Sequence, residues 1–183
     1  MTSPAFALFA SPIGDCAVVW AERGLIGVYF PEADAQATRS RILRRLQGAV
    51  ETPPPAGVQR SIDAIGELLR GGDNDLQSVD IDMSRLPEFN QQVYAIARAI
   101  PPGRTRTYGE IAAELGDPLL ARAVGQALGS NPFPIVVPCH RVMAAGGKSG
   151  GFSAPGGLVT KLKLLEIEGA PLGGSPGLFD QRD

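Results

Sequence analysis

Short apolar segments separated by turn-forming residues dominate the first thirty positions of the chain. Residues 6–10, 16–20 and 24–30 are rich in Val, Ile, Phe and other apolar side chains, and the breaks between them contain Gly14 and Gly24. Such runs, bounded by glycine, are typical of strands joined by tight turns. We therefore expect the chain to begin with a short antiparallel β-meander.

The following segment predicts two helices and a further strand. Residues 36–47 and 57–72 carry apolar residues at helical spacing, and residues 79–83 alternate between apolar and acidic ones. The expected core-facing positions are Ile42, Leu43 and Leu46 in the first helix, and Ile62, Ile65, Leu68 and Leu69 in the second. The arginines of the first helix are expected to form a solvated face.

Helical patterns predominate after Pro87. Residues 89–100 predict one helix, and two shorter helices follow at 107–116 and 119–129 with a tight turn between them. Helix, brief turn and helix outline a helix-turn-helix. The predicted fold class is α+β: a small N-terminal α/β domain with antiparallel strands (1–86), then a mainly helical C-terminal domain containing the helix-turn-helix (87–172), and a C-terminal tail (173–183).

Two packed helices joined by a short turn are common core architecture, so this outline alone is weak evidence for DNA binding. Two arginines, Arg104 and Arg106, precede the pair, and Arg122 lies on the second helix. That helix also carries small residues, which permit close approach to a DNA groove. They are Ala121, Ala123, Gly125 and Ala127.

Composition and charge narrow the function classes. With 44% hydrophobic residues, 20% charged residues and a net charge of -2, the chain is typical of a globular protein rather than a disordered one. Residues 1–87 hold 8 basic against 11 acidic side chains, whereas residues 88–163 hold 8 against 4. A polyanion would be steered to the second half. No apolar run reaches the ~20 residues of a membrane span, so we expect a cytoplasmic protein without a membrane partner.

The candidate chemistry lies in PIVVPCHRVMAAGG, residues 134–147, where the only histidine of the chain, His140, follows Cys139. Neighbouring side chains of an extended segment point to opposite sides, so we expect His140 to act on the thiol through a water molecule. The alternative is a buried structural thiol beside a surface histidine. Cys16 fits a small buried hydrophobic residue, both cysteines are expected to be free thiols, and no metal site is expected.

A carboxylate would improve His140 as a base, and the helix predicted at 157–169 offers Glu166 and Glu168. Spacing does not choose between them. Its core-facing positions are predicted to be Leu158, Leu162, Leu165 and Ile167. The glycine-rich segment 144–157 predicts a flexible loop that closes over a ligand, with Phe152 and Ser153 as its contact residues; a mere connector is the alternative.

NPFPIVVPCHRV, residues 131–142, resembles the active-site signature of the O6-alkylguanine-DNA alkyltransferases, also called methylated-DNA–protein-cysteine methyltransferases. The resemblance extends over residues 88–169 through IPPGRTRTYGEIA, ARAVGQALGSNP and GLVTKLKLLEIEG, and SPIGDCAVVWAERGLIGVYF is similar to the more variable N-terminal domain of the family. It implies a single-turnover DNA repair protein that moves an alkyl group from O6-alkylguanine to its own cysteine; whether O4-alkylthymine is also a substrate stays open.

The resemblance also implies roles for individual residues. Cys139 would be the alkyl acceptor, His140 the base acting through water, and Glu168 the carboxylate that orients it. Tyr108 would assist nucleotide rotation and donate to the departing guanine, and Asn131 would brace the helix-turn-helix against the active-site segment. The helix-turn-helix would bind the minor groove, and its expected DNA contacts are Arg122, which enters the duplex and fills the space left by the flipped nucleotide, with Tyr108, Ala121, Ala123 and Gly125. The expected substrate contacts are Ser153, Val142 and Leu128.

Double-stranded DNA carrying the lesion is the implied partner of a monomer, without any cofactor, and cooperative binding of several molecules along DNA stays open. Two features depart from the family pattern: Ala154-Pro155 lengthens the loop, and Leu128 stands where several members have methionine. Two other function classes stay open from the residues alone. One is a cysteine-dependent hydrolase, which would need an oxyanion hole; the other is a helix-turn-helix regulator whose thiol is incidental.

Overall fold

The predicted meander is confirmed in the computed structural model, which describes residues 2–171. β1 (Ala5–Ser11), β2 (Gly14–Ala21) and β3 (Gly24–Tyr29) pair antiparallel in that order. Gly24 has a φ of +126°, and a Cβ there would lie 2.7 Å from the carbonyl oxygen of Asp80. The second turn therefore requires glycine.

Helix α1 (Ala35–Arg45) covers one face of this sheet, and a short strand that the sequence did not predict extends it. The strand, β4 (Val50–Glu51), pairs parallel to β1, which gives the order β3-β2-β1-β4. Ile42 is fully buried against Phe6 and Val19. The prediction for Leu43 was wrong: its side chain is 45% exposed, because the helix presents Thr38 and Ile42 to the sheet.

Helix α2 (Ala56–Leu69) buries its four predicted apolar positions against the opposite side of the sheet. The strand predicted at 79–83 is not formed. Only one bridge is present, in which Leu25 donates to the carbonyl of Asp80 and accepts from the N–H of Asp82. The Asp82 carboxylate then accepts from the backbone and hydroxyl of Ser84, which turns the chain away from the sheet.

The second half is helical, as predicted. It contains α3 (Glu88–Arg98), α4 (Tyr108–Glu114), α5 (Ala121–Gly129) and α6 (Gly157–Ile167), and two short strands, β5 (Arg106–Thr107) and β6 (Val142–Met143), which pair parallel. Helix α4 begins with a capping box in which Thr107 and Glu110 satisfy each other's backbone N–H groups. A 3₁₀ turn, Pro118–Leu120, leads into α5 and completes the helix-turn-helix.

The two halves share one hydrophobic core, and this sets the position of the site. The main cluster of buried residues runs from Val18 and Leu25 in the sheet through Ile65 in α2 to Val93 and Val124 in the helical half. The α+β class is confirmed. The division at 86/87 stays a prediction, and residue 172 and the tail 173–183 lie outside the described residues. Between residues 2 and 171, no helix has both the length and the apolar character needed to cross a membrane.

Candidate active site

Cys139 stands at the end of a tightly turned segment rather than an extended one. Ile135 has a φ of +74°, a strained conformation for a β-branched residue, and Cys139–Arg141 forms one turn of 3₁₀ helix. The side chain of Asn131 holds this turn: its Nδ2 donates to the Val137 carbonyl at 2.9 Å, and its Oδ1 accepts from the Phe133 N–H at 2.8 Å. The expectation of an extended chain around Cys139 was therefore wrong.

One buried carboxylate, Glu168, joins the two residues that follow the thiol. His140 Nε2 lies 2.8 Å from Glu168 Oε1, and Arg141 donates to both oxygens of the same group at 2.9 and 2.7 Å. Arg141 also donates to the carbonyl of Ile100 at 2.6 Å. Burial raises the pKa of Glu168, but the bonds from His140 and Arg141 outweigh it and bring the pKa to about 2. Glu166, the alternative carboxylate, is exposed.

This arrangement fixes which ring nitrogen of His140 is free. Burial lowers the pKa of His140 below its usual value, so the ring is neutral at neutral pH and Nε2–H donates to Glu168. Nδ1 is buried and has no hydrogen-bond partner among residues 2–171. The lone pair of Nδ1 is thus the group that can accept a proton. Burial also raises the pKa of the Cys139 thiol, while Asn131 and Lys161 oppose the rise, so the resting thiol is protonated.

Lys161 is a site residue that sequence reasoning missed. Its side chain is fully buried on α6, and Nζ donates to the Val142 carbonyl at 2.7 Å and to Gly151 at 3.5 Å. Nζ lies 6.0 Å from the centroid of the Tyr108 ring. Burial lowers the pKa of Lys161 to about 8, and the nearby Cys139 opposes that change.

The predicted face of α6 was offset. Leu158 is 43% exposed, whereas Lys161, Leu164 and Leu165 are buried. Positions 161, 164 and 168 follow the i, i+3, i+7 spacing of one helix face, so the choice of Glu168 also assigns Lys161 to the buried face, two turns earlier. That spacing is the signal in the sequence that could have identified Lys161.

Cys139 lines a cleft of about 1120 Å³ between the helix-turn-helix and the N-terminal half. Tyr108 and Asn131 line it with the thiol. So do five other predicted contact residues: Ala121, Arg122, Gly125, Leu128 and Ser153. Two predicted contacts do not. Ala123 lies on another face of α5, and Val142 is fully buried with its carbonyl turned to Lys161.

Tyr108 forms one wall of the cleft and is closely packed by glycines. A Cβ at Gly150, whose φ is +68°, would lie 3.0 Å from the Tyr108 hydroxyl oxygen, and one at Gly125 would lie 3.8 Å from its ring. Burial raises the pKa of Tyr108, so the phenol keeps its proton at neutral pH. It is available as a donor toward a group in the cleft.

The segment 144–157 lies along the cleft and contacts both halves. The Ser153 hydroxyl donates to the Gly129 carbonyl at the end of α5 at 2.9 Å, and Phe152 packs edge-on against Phe30 with ring centroids 5.9 Å apart. Ser153, Ala154 and Pro155 all line the cleft. Closure of this loop over a ligand stays a prediction.

Cys16, the second thiol of the chain, does not line the cleft. Cys16 is fully buried in β2 beside Ser11, and burial raises the pKa of its thiol to about 11. Both cysteines are free. The described part of the chain contains no group of three or more side chains placed to hold a metal ion.

Known proteins resemble the chain in sequence. Residues 88–170 match the family model "6-O-methylguanine DNA methyltransferase, DNA binding domain". The methylated-DNA–protein-cysteine methyltransferase of Methanothermobacter thermautotrophicus is 32% identical over 163 residues, which cover 89% of this chain and 84% of that protein. The protein of the same name from Mycobacterium tuberculosis is 41% identical over 130 residues, 70% of this chain and 76% of that protein.

Solved structures extend the likeness over nearly the whole chain. The crystal structure of Mycobacterium tuberculosis OGT in complex with DNA is 33% identical, with a TM-score of 0.66, and the match covers 92% of this chain and 96% of that one. The O6-methylguanine-DNA methyltransferase of the archaeon Pyrococcus kodakaraensis is 28% identical, with a TM-score of 0.70 and coverage of 90% and 99%.

Proposed function

Because the chain belongs to the methylated-DNA–protein-cysteine methyltransferase family, we propose that it repairs O6-methylguanine in DNA by moving the methyl group to Cys139. The observation that carries this assignment is the pairing of two features: a thiol on the wall of the cleft, and a neighbouring histidine whose free nitrogen is selected by Glu168. DNA is the partner. Membership of this family favours alkyl transfer over the two alternatives, a cysteine-dependent hydrolase and a helix-turn-helix regulator.

The transfer begins with removal of the thiol proton. His140 Nδ1 takes it through a bridging water, while Glu168 and Arg141 hold the ring in place. The imidazolium that forms lies against the Glu168 carboxylate, which stabilises it. Lys161, whose charge lowers the pKa of Cys139 against the effect of burial, favours the thiolate.

The thiolate then attacks the methyl carbon in line with the bond to O6. A carbon–sulfur bond forms, the carbon–oxygen bond breaks, and its electron pair passes to guanine, which takes up one proton. The proton lost by the thiol balances the one gained by the base. The product is a thioether, which has no easy leaving group and is not cleaved by water, so each molecule acts once.

A base inside a stacked duplex cannot reach a thiol within a cleft, so the nucleotide must be flipped out. We assign the space it leaves to Arg122, which is exposed on α5, and the proton or hydrogen bond to the departing guanine to Tyr108. Asn131 keeps the turn before Cys139 in register with α5. To Ser153, whose hydroxyl donates to the Gly129 carbonyl, we assign a contact with O6.

Three finer features belong to the same proposal. The protein binds as a monomer and assembles cooperatively along DNA, and it accepts larger O6-alkyl groups and O4-alkylthymine, for which a cleft of about 1120 Å³ leaves space. It acts in the cytoplasm. The free state of both cysteines supports that compartment, since an alkyl acceptor has to be a reduced thiol.

Peptide mass spectrometry after incubation with a duplex oligonucleotide carrying O6-methylguanine tests the assignment. We expect one methyl group per protein, on the peptide that contains Cys139, and none in Cys139→Ala. Cys16→Ala is the matched control, because the other thiol is buried in β2 and should leave transfer intact. Methylation elsewhere, or none despite DNA binding, would overturn the assignment.

A further inference from the structure

We propose that α1 in the N-terminal half carries an arginine cluster, Arg41, Arg44 and Arg45, that binds the phosphate backbone of the same duplex whose lesion enters the cleft. This inference rests on the proposed function and gives the N-terminal half a direct part in DNA binding. It differs from the sequence-based interpretation of these arginines as a solvated face.

The charge of the cleft is the first observation. Three arginines line it, with Arg41 and Arg45 on the N-terminal side and Arg122 on α5, and none of the described residues that line it carries a carboxylate. A cleft bordered by cations on two sides attracts an anion that extends across it. A flipped base alone is neutral, so the anionic part must be the backbone on either side of it.

The second observation is that Arg44 and Arg45, at the end of α1, are not paired with an acidic side chain of the described residues. A shallower hollow beside the cleft is lined by Arg41, Arg44 and Arg45, and the one carboxylate among the described residues that line it, Glu32, is paired with Arg41. Arg39, on the same helix, is paired with Glu51 at 2.8 Å. Within residues 2–171, neither Arg44 nor Arg45 has a carboxylate within 4 Å.

A simpler account is that Arg44 and Arg45 complement the dipole at the C-terminus of α1, an effect of about 0.3–1 kcal/mol. That account explains basic residues in the last turn. It does not explain why Arg45 lies in the wall of the cleft that holds the thiol, next to Arg41 one turn earlier. Nor does it explain a basic surface in the more acidic half, in which residues 1–87 carry 8 basic and 11 acidic side chains.

The backbone phosphate fits the cluster better than other anions do. Guanidinium groups bind phosphate oxygens with paired N–H donors and without reading sequence. The cleft of about 1120 Å³ reaches from α5 to α1. The part next to α1 therefore leaves room for the strand that flanks the flipped nucleotide.

Salt-dependent DNA binding tests the proposal in the full-length protein. Each phosphate contact adds about 0.9 to the slope of log affinity against log salt, so Arg44→Gln/Arg45→Gln should reduce the slope by about 1–2. Arg44→Lys/Arg45→Lys, which keeps the charges, should retain most of it. Arg23→Gln/Arg60→Gln is the control of equal charge change, because both residues are exposed and neither lines the cleft. It should bind like the wild type.

Reaction with free O6-benzylguanine separates DNA binding from chemistry. The rate loss of Arg44→Gln/Arg45→Gln on duplex DNA below saturation should exceed its loss on the free base by tenfold or more. An unchanged salt slope, or equal losses on both substrates, would overturn the cluster. A loss seen only as reduced cooperativity would place these arginines between neighbouring molecules and would also overturn it. Absence of methylated Cys139 in the wild type is the separate failure of the proposed function.

Discussion

The buried carboxylate of Glu168 pairs with both His140 and Arg141, and this double pairing makes His140 usable as a base. Arg141 supplies a permanent positive charge to Glu168, so the carboxylate stays ionised and the histidine can remain neutral. With the histidine as its only partner, the Glu168 carboxylate would gain less energy to offset the loss of solvation of its charge. As a consequence, each of the two buried charges, Arg141 and Glu168, depends on the other as its counterion.

That dependence predicts a large stability loss for Glu168→Gln. Removal of the carboxylate leaves the Arg141 charge buried without a counterion, which costs roughly 3–5 kcal/mol. Denaturant unfolding near neutral pH measures it. Glu166→Gln, an exposed position on the same helix, should change stability by no more than ~0.5 kcal/mol. Equal stability of the two variants would contradict the shared role of Glu168.

The same carboxylate predicts how stability depends on acid. Its pKa is about 2 in the folded protein and 4.5 ordinarily, so its contribution is full above about pH 5 and is lost as the pH falls toward 2. The shift corresponds to roughly 3 kcal/mol. Unfolding measured over this range should show a steep loss in the wild type. A variant that folds with glutamine at this position should lack that component.

Lys161 predicts a change in the pH dependence of transfer. Its charge favours the Cys139 thiolate, so Lys161→Met should move the alkaline rise in the rate of reaction with O6-benzylguanine to higher pH. A shift of one pH unit lowers the thiolate fraction near neutral pH about tenfold. Lys163→Met, an exposed lysine on the same helix, is the control. A lower rate with an unshifted profile would assign Lys161 a structural role only.

At the scale of elements, α5 is built to bring its backbone close to the cleft. A Cβ added at Gly125 would lie 3.8 Å from the Tyr108 ring, which is an ordinary contact distance. Gly125→Ala should therefore be tolerated and should stabilise the helix by up to ~1 kcal/mol. A larger side chain would extend into the space where the base must lie.

Gly125→Leu should accordingly lower the rates on duplex DNA and on free O6-benzylguanine together, by tenfold or more, while thermal unfolding stays close to that of Gly125→Ala. Rate constants for the two substrates measure the effect. Rates within threefold of those of Gly125→Ala would show that substrate does not pass this face of α5.

The elements differ in how far the sequence predicts them. The three strands of the meander and most helices were predictable because local periodicity and glycine turns specify them. Residues 79–83 have the same alternation but form a single bridge, since the Asp82 side chain accepts from Ser84 and the chain turns away after the Asp82 N–H has bonded to Leu25. The two-residue strands β4, β5 and β6 are set by tertiary contacts and have no pattern of their own.

The site shows the same division. Cys139 and His140 follow from a sequence signature, and the choice of Glu168 from family resemblance. The 3₁₀ turn, the link from Arg141 to Glu168 and the burial of Lys161 depend on packing between segments distant in the chain. A helix pattern also misleads where a lysine occupies a core-facing position, as it does in α6.

At the scale of the whole molecule, the core that the two halves share also fixes the position of the cleft between them. Bonds across the halves reinforce the packing: Val28 donates to the Pro132 carbonyl at 2.9 Å, and Arg98 donates to the carbonyls of Leu76 and Val79. The wall that contains Tyr29 and Arg45 is thus held at a fixed place relative to Cys139. A loosely linked N-terminal domain could not keep an arginine cluster in register with the active site.

This continuity predicts that the two halves unfold together. Trp20, the only tryptophan of the chain, lies in β2 and is 9% exposed, so its fluorescence reports on the sheet. Far-ultraviolet circular dichroism reports mainly on the helices, most of which belong to the second half. Because one core joins them, the two signals should follow a single denaturant transition with the same midpoint and slope. A circular dichroism transition that precedes the Trp20 transition would show two independent units, and the cleft wall built by α1 would then not be rigid.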